Sequence, residues 1–210
     1  MPAFPKVYTD NAHASEVAHT AQNATTINGA NAVGATSLVL TSATGWPTSG
    51  YLDITDGTNG NETIGYYGLT GSTIQLAKAT VFLHPTLCVI NWWYYSLAVG
   101  DQTNGIPNDG TNATPVGTNT NTWYLYNAGD QIAQGVVLAT VNGAPSTAQG
   151  QLDTYISHLT ATTGFSQSDT IGNIAVGAQQ QFWVDAQIPS GQSAANNPQI
   201  CQISITFSTV

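Results

Sequence analysis

Ser37-Leu38-Val39-Leu40-Thr41, Tyr51-Leu52-Asp53-Ile54-Thr55, Glu62-Thr63-Ile64-Gly65-Tyr66-Tyr67 and Ser72-Thr73-Ile74-Gln75-Leu76 follow one another between positions 37 and 76. Each run is short, rich in β-branched or aromatic residues, and alternates in polarity with period 2. Between them lie turn signals, Thr44-Gly45-Trp46-Pro47, Asp56-Gly57-Thr58-Asn59-Gly60 and Thr70-Gly71. Period 2 places successive side chains on opposite faces, and short runs at such regular spacing read as antiparallel strands. The sequence therefore predicts an all-β protein with a small antiparallel β domain over residues 31–82.

Towards the C-terminus, Leu87 to Val99 is the longest strand candidate and contains Trp92-Trp93-Tyr94-Tyr95. Positions 100–121 read as a long loop of Asn, Gly, Thr and Pro. Further strands are expected at Thr122–Tyr126, Ile132–Val141, Leu152–Ala161, Gln180–Ile188 and Ile200–Phe207. The segment from Leu152 also fits helical spacing, but its β-branched threonine neighbours favour strand. This number of strands over 83–210 predicts an immunoglobulin-like β-sandwich domain. Towards the N-terminus the periodicity fades. A short helix capped by Ser15 is conceivable there, but residues 1–30 are expected to form an extended arm ordered by a neighbour.

Composition supports β structure and narrows function. Charged residues make up 6% of the chain against 41% hydrophobic, and net charge is −9. Lys6 and Lys78 are the only basic residues apart from histidine. Nucleic-acid backbones and anionic membranes are bound by neutralising them with Lys and Arg, so neither is an expected partner. The opening Met1-Pro2-Ala3-Phe4-Pro5-Lys6 lacks the basic and apolar regions of a secretion signal. The chain is expected to stay where it is made, in the cytoplasm, or to leave within a larger particle.

The stretch Gly34-Ala35-Thr36-Ser37-Leu38-Val39-Leu40-Thr41-Ser42-Ala43-Thr44-Gly45-Trp46-Pro47-Thr48-Ser49-Gly50-Tyr51-Leu52-Asp53-Ile54, followed by Glu62-Thr63-Ile64-Gly65-Tyr66, resembles a small β module of tailed-phage virion proteins. That module reads G-A-T-S-L-x-V-x-S-x-x-G-F-P-x-S-G-x-I-x-I, then E-x-I-x-Y-x-G. Ile171-Gly172-Asn173-Ile174-Ala175-Val176-Gly177, with Gln181-Phe182-Trp183-Val184 and Ile188-Pro189-Ser190-Gly191, is similar to a turn, strand and exit of phage structural domains. The resemblance covers roughly residues 32–80 and 120–207. It implies a non-enzymatic virion structural protein, foremost a capsid decoration or cement protein on the outer surface of the particle. Its partners would be the major capsid protein, other virion proteins and further copies of itself. The alternative is a tail, baseplate or fibre component that binds a receptor or carbohydrate.

Several residues are weighed for chemistry. His13, His19, His84 and His158 show no HxH or HExxH spacing. Cys88 and Cys201, without CxxC or metal-type Cys/His spacing, read as buried thiols or as a disulfide between first and last strands. No G-x-S-x-G elbow appears. Asp53, Asp56 and Glu62 surround one hairpin and read as turn residues, with calcium as the functional alternative. Trp92-Trp93-Tyr94-Tyr95 reads as core on both faces, as an interface, or as a sugar-stacking platform. No catalytic, cofactor or metal residue is assigned.

Overall fold

The computed structural model describes residues 3–98, 122–140, 153–160, 164–187 and 200–209. Those residues contain strands and turns and no helix: β1 (Pro5–Tyr8), β2 (His19–Thr26), β3 (Ser37–Val39), β4 (Gly50–Thr55), β5 (Glu62–Thr70), β6 (Thr73–Leu76), β7 (Val89–Ala98), β8 (Trp123–Asn127), β9 (Ala133–Thr140), β10 (Asp153–Ser157), β11 (Ser168–Ile174), β12 (Gln179–Gln187) and β13 (Ile200–Thr209). All pairings are antiparallel. The ambiguous segment after Leu152 is strand β10. The loop expected at 100–121 lies outside the described residues.

One layer has the strand order β1-β8-β12-β10. The other runs β11-β9-β13-β7 and continues into β4-β5-β6-β3. Between the layers lies a core of Val7, Trp123, Leu125, Phe182, Val184 and Ile156 against Val136, Leu138, Ile203, Ile205, Trp93 and Tyr95. Two sheets burying their alternating inner faces make a β-sandwich.

The strands β3 to β7 serve a second core as well. Tyr51 and Trp93 point into the sandwich, whereas Leu52, Ile54, Ile90 and Trp92 point the other way. There they meet Ile27, Leu38, Leu40, Ile64, Tyr66, Ile74 and Leu76. Strand β2 explains how this face is enclosed. It pairs with β7 along one edge, and just beyond its end Ile27 bridges to Leu40, next to β3. Asn28 N–H donates to Val39 O and Thr41 N–H to Thr26 O, both at 2.7–2.8 Å. The circuit β7-β4-β5-β6-β3-β2 thus returns to β7 as a small barrel, the arrangement that leaves no open sheet edge.

β7 is the shared strand. One of its edges pairs β4 from Val89 to Trp93 and then β13 from Tyr95 to Ala98. Barrel and sandwich are built on one continuous strand, and pairing crosses the boundary expected at 82/83.

The extended arm expected over residues 1–30 is not what the described residues form. β1 pairs with β8, Tyr8 bridges to Glu16, and Val17 N–H donates to Val7 O at 2.9 Å. Ala3, Val7, Val17 and Ile27 are buried. Nor does Ser15 cap a helix: it closes a turn in which the Asp10 carboxylate accepts Ala14 N–H and Ser15 N–H. The Ala/Thr/Asn texture hid these strands because small polar residues carry a weak apolar period.

Candidate functional site

At the end of β4 the chain turns through Asp56-Gly57-Thr58-Asn59-Gly60-Asn61. The Asp56 carboxylate holds that turn, accepting from Thr58 N–H at 3.0 Å, Asn59 N–H at 3.1 Å and Asn59 Nδ2 at 2.9 Å. Aspartate mimics a backbone turn in this way. Gly60 has φ +131°, and a Cβ there would meet the Phe82 ring at 2.8 Å, so only glycine lets that ring lie on the turn.

Glu62 opens β5 with its side chain turned inward. Its carboxylate accepts Val81 N–H at 2.9 Å and Phe82 N–H at 2.9 Å, which otherwise lack strand partners. His84, fully buried, places Nε2 at 2.9 Å from Glu62 Oε1 and Nδ1 at 3.3 Å from Asp56 Oδ2. Both ring nitrogens face carboxylate oxygens, and only the imidazolium donates to both. The backbone of His84 exchanges hydrogen bonds with Asn31 at 2.8 and 3.0 Å. Cys88, at the entrance to β7, completes the group with Sγ at 3.0 Å from Thr55 O.

Electrostatics follow from these contacts. The Asn59 side chain, then Thr58 N–H, brings the Asp56 carboxyl down to about 2 against the opposing effect of burial. Burial pushes Glu62 up, but the Val81 and Phe82 N–H groups and His84 together leave it below its ordinary value. Burial, then the nearby Asp56 charge, pushes the Cys88 thiol up. The cluster is a polar knot with every carboxylate oxygen bonded, as buried charge requires.

Above the knot lies an apolar apron. Val81 is 59% exposed, Leu83 47% and Leu87 68%, with Phe82 partly exposed beside them. Val33, also exposed, stands on segment 31–35, which Thr80 ties down by accepting at Oγ1 from Ala35 N–H and donating to Ala32 O. Leu87 adopts φ +69°, the left-handed region that a branched side chain rarely occupies. The surrounding bonds impose that conformation: Leu87 N–H donates to Ile27 O at 2.9 Å, and Cys88 N–H to Pro85 O.

The other weighed residues lie elsewhere. His19 contacts Asp53 at 3.1 Å and stacks on Trp93, with ring centroids 4.1 Å apart. His13 stacks on Tyr126 at 3.9 Å and meets Gln179. His158 contacts Asp169 at 2.7 Å. Each of these histidines joins separate chain segments. Of the proposed calcium set, Asp56 and Glu62 converge on His84, while Asp53 faces His19 and Thr63 on another surface. Trp92, Trp93 and Tyr95 are buried, so the aromatic run fills both cores and presents no open stacking platform. Cys88 is a free buried thiol. Cys201 pairs in register with Leu97, nine positions beyond Cys88 on β7, which puts the two roughly 30 Å apart and excludes a bond.

Sequence reasoning passed over His84 and Cys88 as a pair. The signal that was available is the H-x-x-x-C spacing at the entrance to the longest strand, facing D-x-x-x-x-x-E on the hairpin. No family model matches this chain, nor does any curated protein or solved structure.

Proposed function

We propose that the chain is a non-enzymatic structural subunit of a tailed-phage particle, a capsid decoration or cement protein on the outer surface. The resemblance of residues 34–66 to virion β modules supplies the setting, and the apron of Val81, Phe82, Leu83 and Leu87 supplies the mode of attachment. The single observation that carries this reading is that the apron is exposed while the backbone N–H groups of Val81 and Phe82 are bonded from below by Glu62, itself bonded to His84. A pre-organised apolar surface loses little entropy on docking. Covering the roughly half of each side chain still exposed, against a partner such as the major capsid protein or another copy, contributes on the order of 1 kcal/mol apiece. Neutral contacts of this kind change little with ionic strength, unlike ion pairs.

The test is mechanical. Particles assembled without this protein should form normally yet rupture at lower temperature or internal pressure, and added protein should restore them. Particles of unchanged stability that fail to adsorb to host cells would instead point to a tail or fibre role.

A further inference from the structure

We propose that Asp56, His84 and Cys88 form a binding site for a transition-metal ion of the Zn2+ type. An Asp Oδ, a His ring nitrogen and the Cys Sγ of these residues all lie within 4.8 Å of one another, and all three residues are buried. The chemical mix of carboxylate, imidazole and thiol suits zinc, while calcium and magnesium take oxygen ligands.

The distances support a shared ion. Zinc binds nitrogen and oxygen ligands at about 2.0–2.2 Å and sulfur at about 2.3 Å in a tetrahedron. Two ligands on such a tetrahedron stand roughly 3.3 Å apart for nitrogen and oxygen. His84 Nδ1 and Asp56 Oδ2 are separated by 3.3 Å, long for a charge-assisted hydrogen bond but equal to that edge. Thr55 O, 3.0 Å from Cys88 Sγ, offers a fourth ligand atom from the end of β4.

The remaining nitrogen of His84 already has the partner that a metal-binding histidine uses. Nε2 meets the Glu62 carboxylate at 2.9 Å, and Glu62 is in turn fixed by Val81 and Phe82 N–H. A carboxylate behind the ligating imidazole sets its tautomer and leaves Nδ1 free to bind the ion. Binding releases the Cys88 thiol proton to solvent as Sγ takes up the cation, while Nδ1 of the Glu62-held tautomer ligates through its lone pair. No other bond changes. The ion would join the end of β4, the apron and the start of β7 at one point.

Cobalt(II) is the probe, because a thiolate bound to it absorbs in the near ultraviolet. The full chain, freed of metal by chelation and kept reduced, is titrated with Co2+ and then with Zn2+. The expected result is one Co2+ per chain, a thiolate-to-cobalt band displaced by Zn2+, and loss of the band in Cys88→Ala but not in Cys201→Ser. Thermal melts supply a second readout: Zn2+ at a hundredfold excess over its Kd should raise the Tm of the parent by at least about 5 °C and leave that of Cys88→Ala unchanged. A parent that shows no thiolate band and no Zn2+-dependent rise in Tm overturns the proposal. So does a band that survives in Cys88→Ala or disappears in Cys201→Ser.

Discussion

His84 Nε2 lies 2.9 Å from Glu62 Oε1, and through that contact a fully buried imidazole anchors the connection into β7 to the first residue of β5. The same carboxylate holds Val81 and Phe82 N–H, so one side chain fixes three points of segment 81–84. Buried charges do not earn their place by attraction alone, since desolvation opposes it. What the pair supplies here is position: it decides where the exposed apolar residues stand.

Removing Glu62 tests that role. Glu62→Ala leaves two backbone N–H groups and the Nε2 side of a buried imidazole without acceptors, a loss on the order of 3 kcal/mol. For a chain of this length, that corresponds to a fall in Tm of roughly 6–12 °C. Calorimetry checks it. Retention of the parent Tm would show that the knot contributes nothing to the fold.

Leu87 should separate stability from attachment. Its φ of +69° costs roughly 1–2 kcal/mol for a side-chain-bearing residue, and glycine escapes that cost. Leu87→Gly is therefore expected to leave the isolated protein as stable as the parent, or up to about 1 kcal/mol more so, after the greater chain entropy of glycine is allowed for. The same variant should bind particles more weakly, because the most exposed apolar side chain of the apron is gone. Chemical denaturation and particle co-sedimentation measure the two effects. Unchanged binding would remove Leu87 from the attachment surface.

Most strands could be read directly from the sequence. β3 to β6 were legible because apolar residues alternate and Gly-containing turns separate them, and β7 because of its aromatic run. The closure of the barrel was not. β2 (His19–Thr26) reads His-Thr-Ala-Gln-Asn-Ala-Thr-Thr, with no apolar period, and its place follows from backbone pairing to β7 and the Ile27–Leu40 bridge. Backbone pairing leaves no side-chain signature when both neighbours are supplied by distant segments. The site was half legible for the same reason. Asp56 and Glu62 stood out as a local cluster, but His84 is brought to them by the pairing of segments 31–35 and 80–84, which composition does not reveal.

Alkaline pH should weaken the fold. Burial raises the phenols of Tyr51, Tyr66 and Tyr95 above their ordinary value near 10, with nearby Glu16 adding to the shift for Tyr51 and Tyr95. In the unfolded chain these phenols ionise from about pH 10, while in the folded protein they stay protonated. The unfolded state then binds fewer protons than the folded one, so stability is intact below about pH 10 and declines as pH rises beyond it. Denaturant midpoints at pH 8 and pH 11 should differ accordingly. Tyr66→Phe, which gives up only the bond to Pro47 O, should show a shallower decline. Equal midpoints at the two pH values would contradict the burial of these phenols.

Asn127 offers the sharpest test of the sandwich. Its side chain is fully buried, and its Oδ1 accepts Phe4 N–H at 3.0 Å and Gly129 N–H at 3.1 Å. Its Nδ2 donates to Gln131 O at 2.8 Å and Ile174 O at 3.1 Å. One amide therefore joins the N-terminal strand, β8 and the end of β11, and both its donor and its acceptor ends are used. Asn127→Asp keeps the shape but turns the donor into a carboxylate oxygen facing two carbonyls. The expected loss at neutral pH is on the order of 3 kcal/mol, from the broken bonds and the burial of an unpaired charge. Protonation restores a single donor, so the folded carboxyl should have a raised pKa, and the deficit against the parent should shrink as pH falls through it. Denaturant unfolding of parent and variant at pH 7 and pH 5 measures this. A deficit that stays constant with pH would mean that the carbonyls do not face the substituted group.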